Sequence, residues 1–271
     1  MIPTIESGIP GFDELTVSEI TEGGIPEKSI TLIYGPPKTG KSIFCNQFTY
    51  HGLLNLDPCL YVTTDYGIKQ LQSNMMDFQW FIQNYIQNQT LYIIDGISRL
   101  SGVKLEDTNN VKQSSVGNTS DMMVKIGIGT RLVYKKSNHF RSVLDSLNTL
   151  LAFNPDQMVI RLLKAYLRRI REAGGSGIIA YTEGNANQET ENILKSLFDN
   201  IIRLDGKNIH FEFLSEADDK IYNFKSTYTI TNKGLVMKKK WTQPFEKINF
   251  YQHFPQEWIH ISHLQESPLL E

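Results

Sequence analysis

A chain of 271 residues can fold as one large α/β domain or two small ones, and either size buries a full core. Hydrophobic content of 40% and charged content of 21% are ordinary for a globular protein, and a net charge of −2 argues against a surface wholly given over to nucleic acid, while leaving room for one basic patch. No basic-then-apolar leader opens the chain and no apolar run approaches ~18 residues, so the expectation is a soluble, cytoplasmic protein with no membrane contact.

The first thirty residues read as a lead-in. Glycine–proline punctuation at Gly8–Gly11 and again at Gly23–Pro26 marks turns, with one short amphipathic segment, Phe12 to Ile20, between them. An apolar strand, Ile30 to Tyr34, then runs into Gly35-Pro36-Pro37-Lys38-Thr39-Gly40-Lys41-Ser42, and an apolar helix follows. The eight residues spell G-x-x-x-x-G-K-S, the phosphate-binding loop, and its chemistry needs each residue type at that spacing. The glycines let the backbone curl so that successive N–H groups point inward at a β-phosphate. Lys41 reaches the β- and γ-phosphates as a point charge. The Ser42 hydroxyl ligates Mg²⁺, and the helix adds its positive end. Candidate nucleotide-binding residues are therefore Gly35, Pro36, Pro37, Lys38, Thr39, Gly40, Lys41, Ser42 and Ile43, with Lys41 also catalytic and Ser42 a metal ligand.

The helix from Lys41 carries Ile43, Phe44, Phe48 and Leu53 at helical spacing. Cys59 to Asp65 is a buried strand ending in polar residues, and both cysteines, Cys45 and Cys59, read as small buried apolar groups. A helical stretch from Tyr66 to Ile86 holds Leu71, Met75, Met76 and Trp80, and Leu91 to Asp95 is a third strand. Residues 101 to 118 offer little that is apolar and read as a surface loop. A helix from Met122 to Tyr134 is expected despite Gly127 and Gly129. Phe140 to Asp145 is a fourth strand.

Asp156 to Glu172 is the clearest amphipathic helix, with Val159, Leu162, Leu163, Tyr166, Leu167 and Ile170 on one face. Gly174-Gly175 ends it, and Gly177 to Tyr181 is a fifth strand. Ile201 to Leu204, Ile209 to Leu214 and Tyr228 to Val236 follow with no long helix evident between them. They are expected as antiparallel hairpins at one sheet edge. Residues 1–240 thus form one nucleotide-binding domain, and the aromatic-rich tail, 241–271, is expected to pack on the core or on a neighbouring subunit.

Strands alternating with helices give a mainly parallel sheet with helices on both faces, and ligands in such sheets sit at the carboxyl ends of the strands. Asp65, Asp95, Asp145 and Thr182 all fall there. A phosphate loop needs an aspartate ending an apolar strand for the Mg²⁺ water shell, and both Asp95 and Asp145 qualify. Asp65 is the candidate for orienting the attacking water, and it is equally placed to cap the helix after it. Arg161, Lys164, Arg168, Arg169 and Arg171 form a basic helix face that is either solvated or a contact for nucleic acid. None of the six histidines shows metal-ligand spacing.

Taken together, Ser7-Gly8-Ile9-Pro10-Gly11-Phe12-Asp13-Glu14-Leu15, Gly23-Gly24-Ile25-Pro26, the phosphate loop, Tyr61-Val62-Thr63-Thr64-Asp65, Leu144-Asp145-Ser146-Leu147 and Ile230-Thr231-Asn232-Lys233-Gly234 resemble the KaiC-like proteins in order and spacing. These are single-domain, RecA-superfamily proteins of archaeal type that include the RadA paralogs. The resemblance runs from about residue 4 to 240. It implies a RecA-like α/β core with an antiparallel C-terminal edge, ATP with Mg²⁺, and rings with nucleotide at the subunit boundary. On that pattern Asp145 is the magnesium-side aspartate, Asp95 lies in an additional strand, and Thr182 and Glu183 mark the γ-phosphate-sensing strand end.

Two departures matter. Where the family carries a catalytic glutamate, often a Glu-Glu pair, this chain has Asp65-Tyr66. Where it carries a Lys-x-Arg-Gly-like segment, this chain has Ser215-Glu216-Ala217-Asp218-Asp219, with Lys220 and Lys225 as the nearby cations. The expectation is an ATP·Mg-binding protein with weak or absent hydrolysis, acting as a regulatory or assembly subunit through a protein partner or itself. The alternative is a RadA-paralog ATPase gripping single-stranded DNA through Arg161 to Arg171.

Overall fold

The computed structural model describes residues 1–102, 106–215, 220–238 and 248–249. A two-stranded ribbon, β1 (Thr4–Ile5) with β2 (Ile25–Pro26), brackets α1 (Phe12–Leu15). The first half of the main body is β3 (Ile30–Gly35), α2 (Lys41–Leu54), β4 (Cys59–Thr63), α3 (Ile68–Met76), α4 (Gln83–Gln87), β5 (Leu91–Asp95), β6 (Val111–Gln113) and α5 (Thr119–Tyr134). The second is β7 (Phe140–Asp145), α6 (Leu147–Phe153), α7 (Asp156–Glu172), β8 (Gly175–Thr182), α8 (Gln188–Ser196), β9 (Asn200–Leu204), β10 (Asn208–Ser215), β11 (Lys220–Thr231), β12 (Gly234–Met237) and β13 (Ile248–Asn249).

The sheet runs β12-β11-β10-β9-β3-β8-β7-β4-β5-β6. From β9 to β6 the strands are parallel, and β10, β11 and β12 close the other end antiparallel. The central strands are buried on both faces, so they read as unbroken apolar runs rather than as alternating ones. On β4, Tyr61 joins the core under α2 and α3, whereas Leu60 and Val62 face the layer of α5, α6 and α7. Helices therefore cover both faces. Phe44 and Phe48 of α2 are fully buried, and each such side chain contributes ~2–3 kcal/mol of burial.

Several expectations need correction. The stretch from Tyr66 to Ile86 is two helices, not one. Gln79 takes a left-handed φ of 62°, and Phe78 and Trp80 stack at 4.8 Å and turn into the core instead of continuing the helix. The loop of 101 to 118 contains a short parallel strand, β6. The strand from Ile201 does form the expected antiparallel hairpin with β10, but its other side was not foreseen: β9 also runs parallel to β3, because α8, between β8 and β9, provides the crossover. Leu194 is the one buried apolar side chain of α8, too thin a signal to read as a helix. The helix α5 starts earlier than expected, at Thr119, because the Asn118 side chain accepts from the Asp121 N–H. Gly127 and Gly129 are tolerated in it because Arg169 lies over the first while Leu60 and Tyr92 crowd the second. The tail beyond Lys238 lies, except for β13, outside the described residues.

Candidate nucleotide-binding site

The phosphate loop joins β3 to α2 at the carboxyl end of the sheet. Its backbone turns through positive φ at Gly35 (144°), Lys38 (64°) and Gly40 (97°), and α2 begins at Lys41. At Gly35 only glycine fits, since a Cβ there would lie 1.9 Å from the Leu204 carbonyl oxygen. Lys41 Nζ, nearly buried, donates to the Gly35 and Pro36 carbonyls at 3.0 and 2.6 Å. Burial lowers its pKa, an effect opposed by the charges of Asp145 and Glu183. From the antiparallel edge, Tyr228 of β11 reaches over the loop: its hydroxyl donates to the Thr39 carbonyl at 2.5 Å and accepts the Gly206 N–H at 3.0 Å. Pro37 and Lys38 are exposed at the tip, and Ile43 is half-buried one residue beyond Ser42.

Asp145, at the end of β7, is 1% exposed and sits against Ser42, whose Oγ donates to Asp145 Oδ1 at 3.1 Å. Tyr66 Oη donates to Asp145 Oδ2, and Tyr61 Oη lies 3.2 Å from the same oxygen and 2.7 Å from Asn46 Oδ1. Burial pushes the Asp145 carboxyl up to about 6, and the hydrogen bonds from Tyr66, Ser42 and Tyr61 work against that push. Burial likewise drives the Tyr66 phenol far above its ordinary value, so it is a neutral donor. The peptide between Asp145 and Ser146 is cis. A serine hydroxyl whose proton points at a buried carboxylate leaves its lone pairs for a hard cation, so this oxygen-only donor set fits Mg²⁺. Asp95 is different. Its two carboxylate oxygens accept from the Ile68, Ile97 and Ser98 N–H groups and the Ser98 hydroxyl, which commits it to a turn.

Asp65 lies just past β4 and is exposed, and each of its oxygens accepts a hydrogen bond. Ser146 Oγ donates to Oδ2 at 2.7 Å and Thr149 Oγ1 to Oδ1 at 2.5 Å. Thr182, the last residue of β8, pairs in register with Gly35. Its N–H and hydroxyl are gripped by the side-chain amide of Asn148, at 2.9 and 3.0 Å. Glu183 follows, its N–H donating to Gly35 O at 3.2 Å and its carboxylate facing Arg203 at 3.6 Å.

The profile of the KaiC ATPase family matches residues 5–216, most of the chain. The chain belongs to the KaiC ATPase family. Its relatives include a UPF0273 protein of Pyrococcus furiosus, 28% identical over 247 residues that are 88% of this chain and 94% of that one. Another, from Thermotoga maritima, is 29% identical over 251 residues, 88% of this chain and 96% of that one. Among solved structures, a KaiC-like protein from Pyrococcus horikoshii superposes with a TM-score of 0.66 at 22% identity, over 88% of this chain and all of that one; this likeness speaks for the fold. Family and fold together make this a nucleotide-binding, RecA-like protein.

Within a KaiC-type site, the side chains whose part sequence reasoning missed include Tyr61, Tyr66, Asn46, Asn148 and Tyr228. The Leu144-Asp145-Ser146-Leu147 motif stops one residue short of Asn148, and Tyr228, near the end of β11, opens a stretch that the sequence marks only by its turn at 232–234. Of the acidic segment, residues 216–219 lie outside the described residues; Lys225 is exposed on β11, opposite His210. On the basic face of α7, Arg171 makes a two-pronged contact with Asp199 and Arg168 pairs with Glu172, while Arg161, Lys164 and Arg169 are exposed. Among the described residues no helix is long and apolar enough to cross a membrane.

Proposed function

We propose that this protein binds ATP with Mg²⁺ in the phosphate loop, turns it over slowly, and acts as a nucleotide-dependent regulatory or assembly subunit. Lys41 would meet the β- and γ-phosphates, and Ser42 and Asp145 would hold the cation, which when bound offsets phosphate charge. The observation that carries the slow-turnover reading is the state of Asp65. A general base must turn a carboxylate oxygen onto the attacking water, and both oxygens of Asp65 are held by side chains at the start of α6, Ser146 and Thr149, which anchor the carboxylate there. Tyr66, its neighbour, is a donor and supplies no second carboxylate.

Such a site holds nucleotide better than it destroys it. That suits a subunit whose partner reads whether nucleotide is present, the partner being a protein or a second copy. The DNA-binding alternative would rest on Arg161, Lys164 and Arg169. The deciding experiment measures melting temperature and phosphate release with Mg·ATP, for wild type and Lys41→Ala. At a nucleotide concentration ~100 times Kd the wild type gains about 2.7 kcal/mol, a rise of about 5–10 °C that Lys41→Ala lacks. Turnover is expected below ~1 s⁻¹, and a faster, Lys41-dependent rate overturns the slow-turnover reading. Sizing chromatography of the same samples reports assembly.

A further inference from the structure

We propose that Tyr66 is a positioning residue of the cation site, holding the Asp145 carboxylate so that its Oδ1 edge, beside Ser42, is the one presented to Mg²⁺. The inference rests on the reading that the loop takes ATP together with the cation.

Three hydroxyl groups meet at this carboxylate, with the Asn46 amide competing for one of their protons, and that proton count is what singles out Tyr66. Ser42 has one proton and directs it to Asp145 Oδ1. Tyr61 also has one, and it must serve Asn46 Oδ1 at 2.7 Å or Asp145 Oδ2 at 3.2 Å. The Tyr66 proton is directed to Asp145 Oδ2. Its backbone is fixed as well, because Thr63 Oγ1 donates to the Tyr66 carbonyl at 2.5 Å. The ring is half-buried against the core under α2 and α3. A carboxylate with one oxygen tied down in this way cannot swing about its last torsion, a rotation that is otherwise soft. What remains for a cation and its waters is the free lone pair of Oδ1, next to the Ser42 oxygen. Orientation of this sort is how residues around a metal site tune its affinity without touching the metal, and losing one such partner costs 10–100-fold in well-studied sites.

The test titrates N-methylanthraniloyl-ATP into the full chain, with Mg²⁺ and with EDTA, for wild type and Tyr66→Phe. The phenylalanine keeps the ring and removes only the donor. The expected result is a five- to tenfold loss of the magnesium-dependent gain in affinity, with affinity in EDTA within twofold of wild type. In an Asp145→Asn background, Tyr66→Phe should change neither. Should Tyr66→Phe fail to fold, Tyr66→Met fills the same space without a donor and gives the same comparison. An unchanged magnesium dependence overturns the inference and leaves Tyr66 a core-filling side chain. An equal loss with and without Mg²⁺ also overturns it, since that locates the effect in the loop. Wild type that binds nucleotide regardless of Mg²⁺ overturns the cation role alone. Wild type that binds none removes the ATP reading and this inference with it.

Discussion

Ser146 Oγ donates to Asp65 Oδ2 across 2.7 Å, so the carboxylate expected to activate water instead holds the residue directly after Asp145. Thr149, one turn along α6, takes the other oxygen. Asp65 therefore braces the start of α6 against the end of β4, and its contribution should show in stability. Asp65→Ala is expected to cost about 1.5–3 kcal/mol in urea unfolding, the scale of hydrogen bonds to a charged acceptor. ATP turnover should fall by less than ~5-fold. A drop of about 10²–10⁴, the range for a lost general base, would return Asp65 to the catalytic role.

Tyr228 couples the antiparallel edge to the phosphate loop through two hydrogen bonds on one oxygen, to Thr39 O and from Gly206 N. Tyr228→Phe leaves both backbone groups unpaired beneath a ring that still fills its space. About 1–3 kcal/mol of stability should go, chiefly through the Thr39 carbonyl, which is buried and pays its full desolvation cost once stripped of its partner, whereas the exposed Gly206 N–H can turn to water. Nucleotide affinity should fall severalfold, since the loop loses its outer tether. Calorimetric titration alongside chemical unfolding separates the two effects, and an unaltered affinity would mean that Gly35 and Gly40 alone shape the loop.

The turn that presents Gly206 to Tyr228 depends on Asp205. Burial pushes the Asp205 carboxyl up, but the Asn208 amide and side chain and the Lys207 amide outweigh it and leave the group at about 2, against an ordinary 3.8. A carboxylate whose folded pKa is depressed stabilises the fold above its unfolded pKa. That stability is lost as pH falls from about 4 towards 2. Asp205→Asn keeps the shape and removes the charge, so its urea midpoint should lie below wild type at pH 7, with the gap narrowing by pH 3. A gap that stays constant with pH would show that shape rather than charge holds this turn.

Much of this was legible from spacing alone. The phosphate loop announces itself because its backbone, lysine and hydroxyl all need fixed offsets, and the strands from Ile30 to Gly177 are apolar runs that a doubly covered sheet demands. What stayed hidden is what tertiary packing decides. Residues 188–196 bury only Leu194 among their apolar side chains, so the hydrophobic pattern gives little sign that α8 will carry the chain across and turn β9 parallel to β3. Nor does a tyrosine at 66 reveal that its hydroxyl will find Asp145, 79 residues away. Asp95 and Asp145 look alike in sequence, each closing an apolar strand, and differ only in what surrounds their oxygens.

That parallel placement of β9 has a consequence at Gly35, which pairs with Thr182 on one side and abuts β9 on the other. A Cβ at Gly35 would meet the Leu204 carbonyl oxygen at 1.9 Å and its carbon at 3.0 Å, and both are backbone atoms with no rotamer to yield. Gly206 makes the useful comparison: its φ of 97° is also one that side chains avoid, yet a Cβ there meets only Thr39 Cγ2 at 3.9 Å. Gly206→Ala should therefore cost the backbone strain alone, about 1–2 kcal/mol. Gly35→Ala adds the forced separation of β3 from β9 and should cost upward of about 3 kcal/mol, with nucleotide binding lost because the loop begins at that residue. Unfolding free energies in urea give the order directly. Equal costs, or the reverse order, would mean that β9 can move off β3 at little expense, and the loop would then have no rigid wall behind it.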